Sequence, residues 1–373
     1  MARNKPDECL TIEASRLVVA RDDDRAGRRH AVGGGAESRI TKSVDTNLDE
    51  GTALSVIDGP LNLRQRAAIG LVVAVVAGAY VFWFDTVTHQ YGQGGSDFDQ
   101  LWFAARVLVH GGDPYQAIGP GRAFEWQWPL LYPLPTVVAV VPLAALPVLA
   151  ARILFAGLSS GFLAFALTGR GVAPLAALLS AAVVDAVRAG QLSVLMTAAL
   201  TIDALAVSFV LKPPFGLALL AASPRRRAVI VAVVAGLTLT GVAFVLQPGW
   251  VVEWLDAVRV GGRFRAPILA FGGPLLLLAL LRWRRTDARV LLACACVPHT
   301  PVVYDVVPLS MLVRNLREGV AFAALTYIAL LSQDAMLANM PPIAAATLAA
   351  RILNIVVYLP ALGLVLSRRN EPT

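Results

Sequence analysis

The sequence has little charge, few cysteines and none of the common soluble-enzyme motifs. Only 15% of its 373 residues are charged, against 57% hydrophobic, and the mean hydropathy is +0.66. That balance excludes a single soluble domain and matches repeated membrane spans. The three cysteines, Cys9, Cys294 and Cys296, offer neither a disulfide framework nor metal-ligand spacing. Cys294 and Cys296 lie two apart in an apolar run, on different helix faces, and read as core packing. There is no Walker loop, no Rossmann glycine pattern after a strand, no paired-histidine metal site and no GxSxG. No motif calls for a cofactor or a divalent metal.

Charge is unevenly placed. Met1 to Arg64 holds 10 Lys/Arg and 11 Asp/Glu, a net of −1, so the total of +7 leaves +8 for residues 65–373. The basic excess belongs to the membrane part, as the positive-inside rule expects, and implies no nucleic-acid partner. Residues 1–60 are polar, with a Gly33 to Gly35 triplet, and read as a disordered cytoplasmic tail. No apolar run follows the charged start, so the tail is not read as a signal peptide.

Residues 61–373 read as one all-α transmembrane domain. Gln65 to Phe84 is apolar and long enough to cross ~30 Å of hydrocarbon. Arg64 and Arg66 before it and Asp85 after it place the tail inside and the next loop outside. Further apolar runs fall at about 134–150, 153–169, 171–187, 190–210, 211–222, 228–247, 266–281, 288–299, 302–313, 319–333 and 342–366. They predict ~12 spans, with 10 or 11 as alternatives because several are shorter than ~17 residues. That count puts Arg225 to Arg227, Arg282 to Arg289, Arg314, Arg317, Arg368 and Arg369 inside, and a second loop, 247–266, outside.

The first outer loop, 85–133, is the longest polar interruption among these runs. It carries Asp97, Asp99, Asp113 and Glu125 against Arg106 and Arg122. Ser96 followed by Asp99 resembles a capping box, and Leu101, Trp102, Ala105, Leu108 and Val109 recur at helical spacing. We expect an amphipathic helix lying on the outer membrane face, ended by Gly111 and Gly112, with a turn at Asp113-Pro114-Tyr115. Trp126, Trp128 and Tyr132 return the chain to the interface.

Five ionisable residues lie within or at the ends of apolar runs: Asp185, Asp203, Lys212, His299 and Asp305. Such groups face cavities or partners, or else snorkel to the interface. Asp97 has a structural reading too, because Asp beside a helix start is a common N-cap.

The block SDFDQLWFAARVLVHGGDPY, Ser96 to Tyr115, with Tyr132-Pro133 and Pro142 to Pro147, resembles glycosyltransferase family 87. So do Gly190-Gln191, Leu211-Lys212-Pro213 and the Pro298 to Asp305 segment. Ser193 and Leu101 depart from the family pattern, where Asn and an aromatic residue are usual. The resemblance implies a GT-C bundle of ~10–12 transmembrane helices in the plasma membrane. Such an enzyme takes a hexose, mannose first, from a polyprenyl-phosphate donor to a glycolipid or glycan acceptor at the outer face.

On that resemblance the catalytic acid aligns with Asp97. As carboxylate it would take the acceptor's proton, while a cation stabilises the leaving phosphate. Lys212, Arg106, Arg263, Arg265 and His299 are the candidate cations, with Lys212 and His299 favoured. Asp99, Tyr115, Gln191 and Asp305 complete the substrate-binding set. The rival class is a transporter or lipid flippase, in which intramembrane Asp and Lys would relay protons or substrate. No paired halves are visible to support it.

Overall fold

The computed structural model describes residues 61–88, 96–260, 264–337 and 340–370. All lie in the compact unit Asp49–Thr373; the unit Met1–Leu48 and the rest of the tail, with Cys9, lie outside the described residues, as does Arg263.

The first helix, α1 (Leu63–Val87), opens on a capping box: Asn62 Oδ1 accepts from the Gln65 N–H at 2.9 Å, and Gln65 Oε1 accepts from the Asn62 N–H at 3.0 Å. After the loop helix α2 (Asp97–Val109) come α3 (Leu134–Ala144) and α4 (Val148–Leu167). Helices α1 and α4 pack through small residues. A Cβ on Gly161 would sit 2.7 Å from the Gly70 carbonyl, and one on Gly157 2.9 Å from that of Ala74, so only glycine permits this approach.

Five stretches are long and apolar enough to cross a membrane: Leu63–Val87, Val148–Arg170, Arg226–Leu246, Leu316–Leu337 and Ala344–Ser367. Most other apolar runs do not form whole spans. The run at 171–187 becomes a 3₁₀ segment, Ala173–Leu179, and α5 (Ala181–Arg188), divided where Ser180 caps α5. The run at 190–210 becomes α6 (Leu192–Ala199) and a 3₁₀ segment, Asp203–Val210. Lys212-Pro213-Pro214 opens α7 (Pro213–Ala222), whose ten residues cover only ~15 Å. The 3₁₀ segments Gly273–Arg282 and Val303–Leu312, at ~2.0 Å per residue, reach ~20 Å. Pro, Gly and Ser punctuate these runs, which hydropathy alone does not register.

Burial sorts the pieces. The long α8 (Arg226–Leu246) buries only Ala228, Ala232 and Ala243. In Val303–Leu312, by contrast, every residue except Tyr304 is buried. Helix α8 therefore lies at the rim, while Val303–Leu312 runs through the interior. After α8 come α9 (Trp250–Val260), α10 (Thr286–Cys296), α11 (Leu316–Leu337) and α12 (Pro342–Leu353), which runs through a π turn, Asn354–Tyr358, into α13 (Leu359–Ser367).

Three of the arginines that the charge count assigns to one side, Arg285, Arg314 and Arg368, meet at Asp287. Asp287 is ion-paired to Arg285 at 2.9 Å, Arg368 at 2.9 Å and Arg314 at 3.5 Å, and Arg368 also holds Glu318 at 2.7 Å. Asp287 is partly buried, which penalises its charge, yet the guanidiniums of Arg285 and Arg368 more than offset this and hold its carboxyl below the usual range. From this end α10 runs toward His299, and Val303–Leu312 returns from Asp305. The titratable cluster and the arginine cluster thus occupy opposite ends of the same two segments.

The loop helix differs from its expectation. In α2, Phe98, Asp99, Gln100, Leu101, Trp102, Ala104, Ala105 and Leu108 are buried, and Trp102 Nε1 donates to the Leu146 carbonyl at 3.0 Å. It packs against α3 and α4 with most of its residues buried by protein, leaving Arg106 and Val109 exposed. Its Ser96 N-cap is present, accepting from the Phe98 N–H.

Candidate functional site

Asp97 begins α2 at a junction that sequence-distant residues create. Ser96 Oγ and the Phe98 N–H both donate to the Ala189 carbonyl, at 2.8 and 3.3 Å. Gly190, at φ +63°, lets the chain turn so tightly that a Cβ would lie 2.6 Å from Phe98 Cβ. The next residue, Gln191, donates from Nε2 to Asp97 Oδ2, and Tyr304 donates its phenol proton to the same oxygen at 3.1 Å. Ser193 Oγ in turn holds the Tyr304 carbonyl at 3.2 Å. Serine at this position thus anchors the tyrosine that touches Asp97.

A second group lies alongside. Lys212 is the N-cap residue of α7, and its Nζ is 3.3 Å from Asp305 Oδ1. Asp305 is fully buried, with its Oδ2 3.4 Å from His299 Nδ1. His299 Nδ1 also faces the Thr300 carbonyl at 2.9 Å, and its Nε2 faces the Tyr358 hydroxyl at 3.2 Å. His299 therefore stands behind Asp305, in the wall.

Both groups border a cavity of about 400 Å³. Asp97, Gln100, Gln127, Gln191, Lys212, Thr300 and Tyr304 supply its polar lining, and Trp126, Trp128, Tyr132, Trp254 and Phe264 its aromatic lining. The two predicted outer loops meet here: Trp254 Nε1 donates to the Leu131 carbonyl at 3.0 Å, and Gln247 Nε2 to Asp113 Oδ1 at 3.1 Å.

Burial is the main force on Asp97 and raises its pKa above the ordinary carboxylate value. The Tyr304 hydrogen bond and the Arg188 charge oppose this, and the carboxylates of Asp185 and Asp305 add to it. A carboxylate so displaced is a stronger proton acceptor than a free one.

Of the sequence candidates, Asp97, Gln191, Lys212, Asp305 and His299 are brought together, and the other described ones are not. Asp99 is fully buried, with both oxygens held by Arg152, whose Nη1 also reaches Asp85 at 2.7 Å. Its role is to fasten α2 to α4. Arg106 is exposed one helix length from Asp97, its guanidinium 4.9 Å from the Trp102 ring centroid. Tyr115 is buried, donating to the Tyr132 carbonyl at 3.1 Å. Asp185 pairs with Arg188 at 2.7 Å and Asp203 with Arg225 at 3.1 Å, while Arg265 is exposed.

The sequence does not single out Tyr304 or Gln100 as site residues, because nothing local ties a tyrosine to a carboxylate 207 positions away. Among the described residues no group of three or more His, Cys, Asp or Glu is arranged to hold a metal ion. No family model, curated protein or solved structure matches the chain, so the resemblance to family 87 rests on the residues quoted for it.

Proposed function

We propose that this protein is an integral membrane glycosyltransferase with a GT-C-type bundle of ~10–12 membrane-embedded segments. In this reading the short segments complete a bundle with the five long helices. It moves a hexose, mannose being the first candidate, from a polyprenyl-phosphate donor to a lipid or glycan acceptor at the outer face of the plasma membrane, with its N-terminus cytoplasmic.

One observation carries the reading: a carboxylate of raised proton affinity, a lysine and three glutamines converge on an aromatic-walled cavity. Aromatic faces with a few oriented polar groups suit a sugar, whose rings have apolar C–H faces and hydroxyl edges. Asp97 takes the proton of the acceptor hydroxyl as the acceptor oxygen attacks the anomeric carbon. The bond from that carbon to the phosphate oxygen breaks, and the electron pair leaves on the phosphate. Gln191 and Tyr304 orient the carboxylate by occupying Oδ2. Lys212 supplies positive charge toward the leaving group, and Asp305 fixes its position. A single base opposite the leaving group implies inversion.

The test is transfer by the purified full-length protein from radiolabelled polyprenyl-phosphate sugars in detergent. Transfer that Asp97→Asn reduces by about 10² to 10⁴ supports the reading. No transfer from any such donor, or undiminished transfer by Asp97→Asn in folded protein, overturns it.

A further inference from the structure

A second, larger hollow of about 1140 Å³ lies away from the aromatic cavity, between α1, the Ala173–Leu179 segment and the start of α11. Its lining is mostly aliphatic, with Val76, Leu175, Leu179 and Val184 among the residues that face it, and Asn315 and Arg317 stand at the end away from Asp97. Two features argue for its occupant.

The first is length. The Ala173–Leu179 and Ala181–Arg188 pieces climb the same neighbour, since Gly319 of α11 abuts Ala176 and Thr326 Oγ1 accepts from the Ala181 N–H at 3.1 Å. At 3₁₀ and α rises these pieces give roughly 25 Å of wall, against ~15 Å for one leaflet's hydrocarbon. An ordinary acyl chain of one leaflet does not fill it.

The second is charge at the end nearest Asp97. There the hollow is bounded by Tyr80 and Val187. The Phe84 ring is 6.2 Å from that of Tyr80, and the Arg188 guanidinium stands 5.4 Å over Phe84. Arg188 gives Nε and Nη2 to Asp185 Oδ1, which leaves Nη1 without a hydrogen-bond partner among the described residues. It is also close enough to Asp97 to act on its charge.

We infer that this groove seats the chain of a long-chain isoprenoid phosphate, with the phosphate on Arg188. The inference rests on the proposed lipid-linked donor and assigns that donor its own entrance. The lipid arrives from the membrane along α1 and α11, and the acceptor arrives through the aromatic cavity. Asp97 stands between them, and Arg188 joins Lys212 as a cation for the departing phosphate.

The experiment uses full-length protein in nanodiscs and a polyprenyl phosphate that carries a diazirine at its far end and no sugar. Expected are crosslinks within 173–179 and at the start of α11, competed by unlabelled polyprenyl phosphate and not by phosphatidylglycerol. Leu179→Trp places a bulky ring in the groove from an exposed position and should lower labelling at least tenfold. Arg188→Gln should abolish the preference for polyprenyl phosphate over polyprenol. Labelling elsewhere, equal competition by phosphatidylglycerol, or labelling indifferent to Leu179→Trp overturns the groove assignment. Because the probe has no sugar, saturable groove labelling in a protein that transfers nothing would sink the glycosyltransferase reading alone. Active transfer with labelling outside the groove would sink this inference alone.

Discussion

The phenol of Tyr304 donates to Asp97 Oδ2 at 3.1 Å, although 207 residues separate them. This bond favours the charged carboxylate and opposes the effect of burial. The rate of transfer should therefore fall as pH drops through a value above the ordinary carboxylate pKa of ~3.9, because only ionised Asp97 accepts a proton. Tyr304→Phe removes a bond that stabilises the anion, so the inflection should move further up. A pH–rate profile of the two proteins checks this, and an unchanged or lowered inflection would count against Asp97 as the base.

Lys212 and Asp305 should behave as a unit. Lys212→Ala leaves Asp305 buried without its ammonium, whereas Lys212→Arg keeps the charge in a different shape. We expect transfer in the order wild type, Lys212→Arg, Lys212→Ala, with Asp305→Asn adding little to Lys212→Ala. A double-mutant cycle on kcat reads the coupling, and strictly additive losses would refute it.

Asp99 is not a neutral control for Asp97. Its neutralisation breaks a buried ion pair with Arg152, and losing one partner of such a pair costs about 3 to 5 kcal/mol. Asp99→Asn and Arg152→Ala should both lower the yield and detergent melting temperature of the protein. Asp97→Asn, half-buried at the cavity, should leave both near wild type while stopping transfer. Thermal melts beside activity assays separate the two carboxylates.

Gly190→Ala should damage the site with little change in composition. Alanine at φ +63° is strained, and its Cβ would strike Phe98 at 2.6 Å. The expected result is a loss of kcat well beyond that from Ser193→Ala, measured on protein that still purifies as a monodisperse peak.

The sequence by itself marked the apolar, membrane-type composition and, among its twelve apolar runs, those that become the five long helices, because hydropathy over about twenty residues is a local quantity. It also marked Asp97, Gln191, Lys212, His299 and Asp305, since ionisable groups in apolar runs and short motifs stand out without knowledge of contacts. Tertiary structure decided the rest. Asp97 and Asp99 are two residues apart and look alike in the chain, yet one faces a cavity and the other a buried guanidinium, because residues two apart on a helix point to nearly opposite faces. The runs expected as spans break into α and 3₁₀ pieces where proline, glycine and serine interrupt the backbone ladder, and hydropathy averages pass over single residues. The pairing of Tyr304 with Asp97 and of Arg152 with Asp85 and Asp99 depends on how helices pack, and no spacing along the chain encodes it.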